Sequence, residues 1–408
     1  MGKRNPKKPT IFYDLLVILR QNYCLFYSMA GIYVHIPFCK SRCVYCGFYS
    51  TTMLPWRDRY VDAVCREMQL RAREWSSHSF STVYLGGGTP SQLSVSQLER
   101  LFLHIINIYR VEEGAEITIE CNPDDITDDF ALGLRSLRVN RVSMGVQTFS
   151  DARLHFLHRR HTASQVLLAV ERLKRMGIDN ISIDLMFGFP DETLAQWKED
   201  IDSALSLDVQ HLSAYSLMYE EGTLLYKMRC EQIASGHADV ERDEELSVAM
   251  YEMLVDRLES AGFEHYEISN FAKRTPRRSF RSRHNSSYWQ GVPYIGVGAA
   301  AHSYDIDTRQ WNVADIRQYI KRISQGILPA EKEILTEELR YNDAITTALR
   351  TCEGISYTDL PEKFRSYLLQ QAQKHIWQGL LVQADGHLRL TRKGLFISDS
   401  IMSDLVYV

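Results

Sequence analysis

Six β-rich runs separated by helically spaced apolar residues dominate the first half of the chain. The runs are residues 32–36, 81–85, 116–120, 141–146, 181–185 and 211–216. Between the first two, Val61, Val64, Met68, Ala72 and Trp75 recur at helical spacing over residues 58–76. Leu98, Leu101 and Ile105 mark the next helix, and further helices are predicted near 130–137, 164–176 and 194–204. Parallel neighbours need a crossover of a dozen or more residues, so this alternation predicts an α/β protein with a parallel sheet. Polar or glycine residues stand at the C-terminal end of nearly every run, rather than at one crossover. That distribution suits a barrel-type site better than an open doubly wound sheet.

The second half reads differently. A helix is expected over residues 240–261, carrying Leu246, Met250, Met253, Leu254 and Leu258, followed by a β-rich piece at 263–271. Residues 273–290 are basic and rich in breakers, and read as irregular. Helices are expected at 313–325 and 339–350 and as a pair within 359–380. A hairpin with an Asp385-Gly386 turn and a final helix follow. Helices before a wing-like hairpin predict a small, mainly helical, winged-helix-like domain. Its Glu353, Asp359, Glu362 and Asp385 leave no basic groove-reading helix, so a lid or packing module is expected and no nucleic-acid partner. The predicted divisions are 1–28, 29–272, 273–325 and 326–408.

With 408 residues, 45% hydrophobic and 24% charged, the chain can bury a large core without staples. A net charge of −4 supplies no global attraction to nucleic acid or anionic membrane. Eight cysteines are too sparse for a disulfide scaffold and fit a reducing, cytoplasmic setting. Residues 1–28 pair a basic start with an apolar run that Asp14, Arg20 and Gln21 interrupt. They read as an extension or early start, not as a signal peptide or membrane span.

Three of the cysteines crowd one loop just after the first run: Cys39, Cys43 and Cys46. Thiolates at this spacing suit an iron–sulfur cluster or zinc, with free thiols as the plain alternative. Three ligands on a four-iron cluster leave one iron open to a small molecule. Gly86-Gly87-Gly88-Thr89-Pro90 follows the second run and lacks the lysine of a phosphate loop. Glu120, Gln147, Arg159 and Asp184 lie at or beyond the ends of later runs. His155, His158 and His161 have i,i+3 spacing, which allows a shared helical face and a metal, although a polar rim explains them more simply. The distal stretch around Arg283-His284-Asn285 and Tyr288-Trp289 could stack on RNA, bind a porphyrin or form a surface loop. Arg277, Arg278, Arg281 and Arg283 would serve porphyrin propionates.

The spacing Cys39-x3-Cys43-x2-Cys46, preceded by Tyr33-Val-His35-Ile-Pro37-Phe, resembles the radical S-adenosylmethionine (SAM) enzymes. Within them it is similar to the coproporphyrinogen dehydrogenase (HemN/HemW-like) family, over nearly all of residues 29–408. The resemblance implies a partial (β/α)6 barrel with a small C-terminal domain. It implies a 4Fe–4S cluster on the three cysteines and SAM at Tyr33, Gly87, Gly88, Thr89, Glu120, Gln147, Arg159 and Asp184. Asp184 would suit the ribose hydroxyls and Arg159 the methionyl carboxylate. His284-Asn285-x-x-Tyr288-Trp289 resembles the HNxxYW motif of the haem-chaperone branch, which makes His284 the expected haem contact and His302 a reserve. The oxidase branch carries a further cysteine after the cluster motif, where this chain has Gly47-Phe48. The chaperone branch is therefore expected, with haem delivered to a respiratory protein and any membrane contact peripheral, through that partner. An electron donor such as flavodoxin or ferredoxin is implied. Oxygen-independent oxidation of coproporphyrinogen III is the alternative, so enzymatic turnover is left open, and a nucleic-acid-binding module is a remote third.

Overall fold

A computed structural model describes residues 29–235, 244–276 and 278–408. The expected extension at 1–28, and Arg277, lie outside the described residues. The six anticipated strands form as β1 (Met29–Ile36), β2 (Ser79–Gly87), β3 (Arg110–Cys121), β4 (Arg141–Gln147), β5 (Ile181–Phe187) and β6 (His211–Ser216). They lie side by side in chain order, all parallel. After β7 (Phe263–Glu267), β8 (Asn270–Thr275) and β9 (Arg278–Ser279) comes β10 (Tyr294–Val297), which pairs with β1 as a seventh parallel strand. Only four residues long and glycine-containing, β10 carries too little β pattern to be read from sequence. Antiparallel strands β11 (His302–Asp305), β12 (Thr308–Asn312) and β13 (Ala330–Ile334) extend that edge, and β8 and β7 extend the edge beyond β6. Among the described residues the outermost strands, β13 and β7, do not pair with each other, so the barrel stays open on one side.

Strand alternation sends apolar residues outward against the helices and polar ones inward. Ile32, Val34, Ile36, Val142, Met144, Ile183 and Leu185 are buried beneath the helical layer. Trp197 packs against Phe187 with ring centroids 5.2 Å apart, and its indole N–H donates to the Met250 carbonyl. Glu67, on the helix Arg57–Arg71, ties the β10 edge to the barrel. It accepts from the Gly298 amide, the Asn312 amide group and the Tyr319 hydroxyl, with Arg71 3.5 Å away. No helix among the described residues is long and apolar enough to cross a membrane.

Residues 273–290 are not irregular. They contain the end of β8, then β9 and the helix Arg283–Trp289. Ser282 caps that helix by accepting from the Asn285 amide, and the Glu116 carboxylate accepts from the amides of Arg283 and His284. A carboxylate is a favourable partner for a helix start, and Glu116 is too distant in sequence to suggest it. The expected helix pair in 359–380 is instead one helix, Glu362–Trp377, because Phe364, Leu368, Ala372 and His375 form an unbroken buried stripe. The hairpin does turn at Asp385-Gly386, both with positive φ (50° and 77°), as a tight two-residue loop requires. The C-terminal core gathers Tyr341, Ile345, Phe364, Leu368, Leu388 and Ile401. Its contacts run to the closing helix and the β7–β8 turn: Arg350 lies over Trp289 and pairs with Glu267, and Arg281 pairs with Glu353. Packing, not a lid over the mouth, is the geometry observed.

Candidate functional site

The cysteine loop hangs from apolar anchors that leave its thiols free to face inward. Phe38 and Val44 are fully buried, while Cys39, Cys43 and Cys46 are half-buried. Backbone bonds hold the loop from several sides: Cys39 N–H to Thr51 O, Val44 N–H to Leu157 O and Leu225 N–H to Val44 O. Cys39 Sγ lies 3.4 Å from the Thr89 hydroxyl, and Arg159 reaches to 3.5 Å from Cys43 Sγ. Burial pushes the Cys39 and Cys46 thiols up, so metal capture there releases protons.

Glycines line the approach for steric reasons. Gly87 has φ 115°, and the His35 ring occupies the place of its absent Cβ. A Cβ on Gly88 would sit 2.7 Å from the Pro37 carbonyl carbon and 3.1 Å from Cys39 Sγ. His35 Nε2 hydrogen-bonds the Tyr49 carbonyl, which leaves Nδ1 to accept from the Tyr33 hydroxyl. Burial lowers His35 to about 4, so it is neutral.

Below the loop, Glu120 accepts from the Tyr84 hydroxyl (2.7 Å) and the Gly87 amide (3.0 Å). Burial raises it to about 7 and raises Asp184, beside Ser213, to about 6. Gln147 has φ 71° at a register slip between β4 and β5, a strained conformation for a side chain other than glycine that re-aims it at the end of its strand. Arg159 donates to Asn122 Oδ1 and the Gly145 carbonyl, while its Nε has no partner among the described residues. His284 is buried (1% exposed), bonded through Nδ1 to the Thr82 hydroxyl and through Nε2 to Tyr288, both at 2.7 Å. It stacks on Tyr84 with centroids 5.0 Å apart, and burial lowers it to about 3.

Tyr33, Cys39, Cys43, Cys46, Gly87, Gly88, Thr89, Glu120, Gln147, Arg159, Asp184 and His284 all line a single cavity of about 690 Å³. Arg141, Ser143, Tyr84 and Ser213 join them and were missed. Counting back in twos from Gln147 would have found Ser143 and Arg141, because alternate residues share a face, whereas Tyr84 and Ser213 stand at odd spacing from the ends of their strands. The histidine trio does not share a helical face. The helix Asp151–Phe156 stops before His158, whose φ is 58°, and buried His161 bonds the Val146 carbonyl. His302 lies on β11, between β10 and β12, where it is exposed, stacked on Trp311 and not on the cavity wall. Arg281 pairs with Glu264 and Glu353, and Arg283 donates to the Gly114 carbonyl, so neither lines the cavity.

The donor set favours a polynuclear cluster. Zn–S bonds of about 2.3 Å would draw thiolates to within about 4 Å of one another. Among the described residues no three His, Cys, Asp or Glu side chains are gathered as a single-ion site. Three separate soft donors around an open mouth suit a larger iron–sulfur group.

Comparison with known proteins identifies the family. Residues 33–204 match the Radical SAM superfamily and residues 335–397 the HemN C-terminal domain. The chain is 35% identical over 386 residues to "Heme chaperone HemW" of Bacillus subtilis, covering 91% of this chain and 98% of that one. It is 33% identical over 378 residues to "Heme chaperone HemW" of Lactococcus lactis, covering 90% and 95%. The solved structure of coproporphyrinogen III oxidase (HemN) from Escherichia coli superposes with a TM-score of 0.79 at 22% identity, covering 95% of this chain and 93% of that one. With family models, relatives covering nine-tenths of its length and the fold in agreement, the chain belongs to the HemN/HemW-like family of the radical SAM superfamily.

Proposed function

We propose that this protein is a HemW-like haem-binding protein that carries a 4Fe–4S cluster and SAM and hands haem to a respiratory acceptor. Family membership implies the cluster and SAM. Haem and its acceptor belong to this reading alone, which draws support from relatives named as haem chaperones. One observation carries it: the three thiols and the His284–Tyr288 pair open onto the same cavity. Phe48, 70% exposed at the mouth, stands where the oxidase branch is expected to have its extra cysteine.

In this reading Cys39, Cys43 and Cys46 hold the cluster. Gly87, Gly88 and Thr89, with Arg159, receive the amino and carboxylate groups of SAM. Asp184, Glu120, Gln147 and Tyr33 receive its nucleoside. The bound cluster and SAM would supply one-electron reductive cleavage of the sulfonium–C5′ bond, the electron coming from a flavodoxin- or ferredoxin-type donor. The chain's own contribution is to orient these groups and exclude water from the chamber. Iron ligation by His284 would exchange its Nε2–Tyr288 bond for the metal, while Thr82 continues to hold Nδ1 and fix the ring.

The test is a side-by-side assay of anaerobically reconstituted protein. Stoichiometric haem binding and transfer to an apo-acceptor, without coproporphyrinogen turnover, is the expected result. Turnover of coproporphyrinogen III with SAM and reductant overturns the chaperone reading in favour of the oxidase. Cys43→Ser should abolish the cluster absorbance, and its survival would remove the cysteine assignment.

A further inference from the structure

Arg141 opens β4, with its side chain on the cavity wall and only 1% of its surface exposed. Among the described residues its Nε has no hydrogen-bond partner and no carboxylate lies within ion-pair distance of its guanidinium. Two interior acids are already committed: Glu116 accepts from two amides of the closing helix and Glu120 from Tyr84 and the Gly87 amide, while Asp184 stands beside Ser213, outside ion-pair distance of Arg141. Removing a guanidinium from water without a counter-ion is costly, and charges so buried are normally paired.

The second interior arginine works at another depth. Arg159 bonds the Gly145 carbonyl, four residues along β4 from Arg141, or about 13 Å at strand rise. An anion held at the cysteine loop by Arg159 therefore leaves Arg141 free for another. The planar guanidinium fork matches a carboxylate in two parallel bonds.

We infer that Arg141 is the binding site for a carboxylate of a second ligand, a propionate arm of a tetrapyrrole that enters the barrel beneath SAM. This rests on the radical SAM reading only in reserving the upper position for the cofactor. The macrocycle's other edge would remain near the open side of the barrel.

The probe is metal-free coproporphyrin III, which carries propionates but no iron, so axial ligation cannot contribute. Its binding to reconstituted wild type, Arg141→Lys and Arg141→Met is followed by fluorescence, with the uncharged tetramethyl ester as control. SAM affinity is measured in parallel. Arg141→Met is expected to weaken coproporphyrin III about 10- to 100-fold, the value of one charge-assisted contact, and to leave the ester and SAM unchanged. Arg141→Lys should retain part of the affinity. Because the arginine is unpaired, Arg141→Met should be at least as stable as wild type; a clear loss of stability would mark a structural role and overturn the inference. So would equal affinity of wild type and Arg141→Met for coproporphyrin III, no binding by wild type, or a loss confined to SAM. Wild type that lacks both cluster absorbance and SAM binding but still discriminates acid from ester through Arg141 would sink the cofactor reading and spare the carboxylate site.

Discussion

The helix Arg283–Trp289 closes one end of the barrel through a few interactions centred on His284, and replacing that histidine should loosen the closure. His284→Ala removes the partner of the Thr82 hydroxyl and of the Tyr288 hydroxyl. Leaving a buried hydroxyl unpaired costs about 1–3 kcal/mol, and water from the cavity can satisfy one of the two. The stacking on Tyr84 adds about 0.5–1.5 kcal/mol. The expected loss is therefore about 1.5–4.5 kcal/mol, measured by urea unfolding followed through tryptophan emission, to which Trp289 contributes. Tyr288→Phe removes one hydroxyl and should cost only about 1 kcal/mol while freeing Nε2. A haem assay on His284→Ala alone would therefore confuse lost ligation with a loosened barrel. Tyr288→Phe separates them, since a ligating His284 should hold haem at least as well once Nε2 is free. A His284→Ala protein within about 1 kcal/mol of wild type would refute the closure argument.

Three other outcomes follow from the geometry. Glu120 is raised from 4.5 to about 7, so the folded apo-protein binds more protons than the unfolded chain and its stability contribution falls as pH rises between those values. Buried neutral histidines push the other way, so the difference between wild type and Glu120→Gln isolates this slope; urea midpoints that track each other across this range would contradict it. Gly88→Ala places a methyl against the Pro37 carbonyl and Cys39 Sγ, and should lower iron uptake on reconstitution while circular dichroism stays unchanged. Full iron content would show that the loop yields more easily than its backbone contacts suggest. Glu67→Ala strips three donors and Arg71 of a buried partner and should destabilise by about 3–5 kcal/mol. A midpoint shift equivalent to under about 1 kcal/mol would deny Glu67 its role in holding the β10 edge.

Several features could be read directly because they repeat locally. β-rich runs separated by helically spaced apolar residues marked β1 to β6, and the polar residues ending those strands marked the cavity wall. The cysteine spacing was visible in eight residues. What escaped depended on partners far away in the chain. Strand β10 exists because β1 offers it an edge, and the helix Arg283–Trp289 begins where Glu116 waits more than 160 residues earlier. Nothing near Arg141 in the sequence shows that Glu116 and Glu120 are engaged by other partners and leave its guanidinium without a carboxylate at ion-pair distance.

Amino-acid order alone determined the parallel strand–helix alternation, the soft thiol triplet and the Asp385-Gly386 hairpin, since each depends on neighbours within a few positions. Tertiary structure alone decided that the HNxxYW segment is a closing helix, that Glu120 and Asp184 are protonated more readily than free carboxyls, and that a guanidinium stands unpaired inside. Those outcomes depend on burial and on which groups meet across the barrel, quantities that exist only once the chain has closed around them.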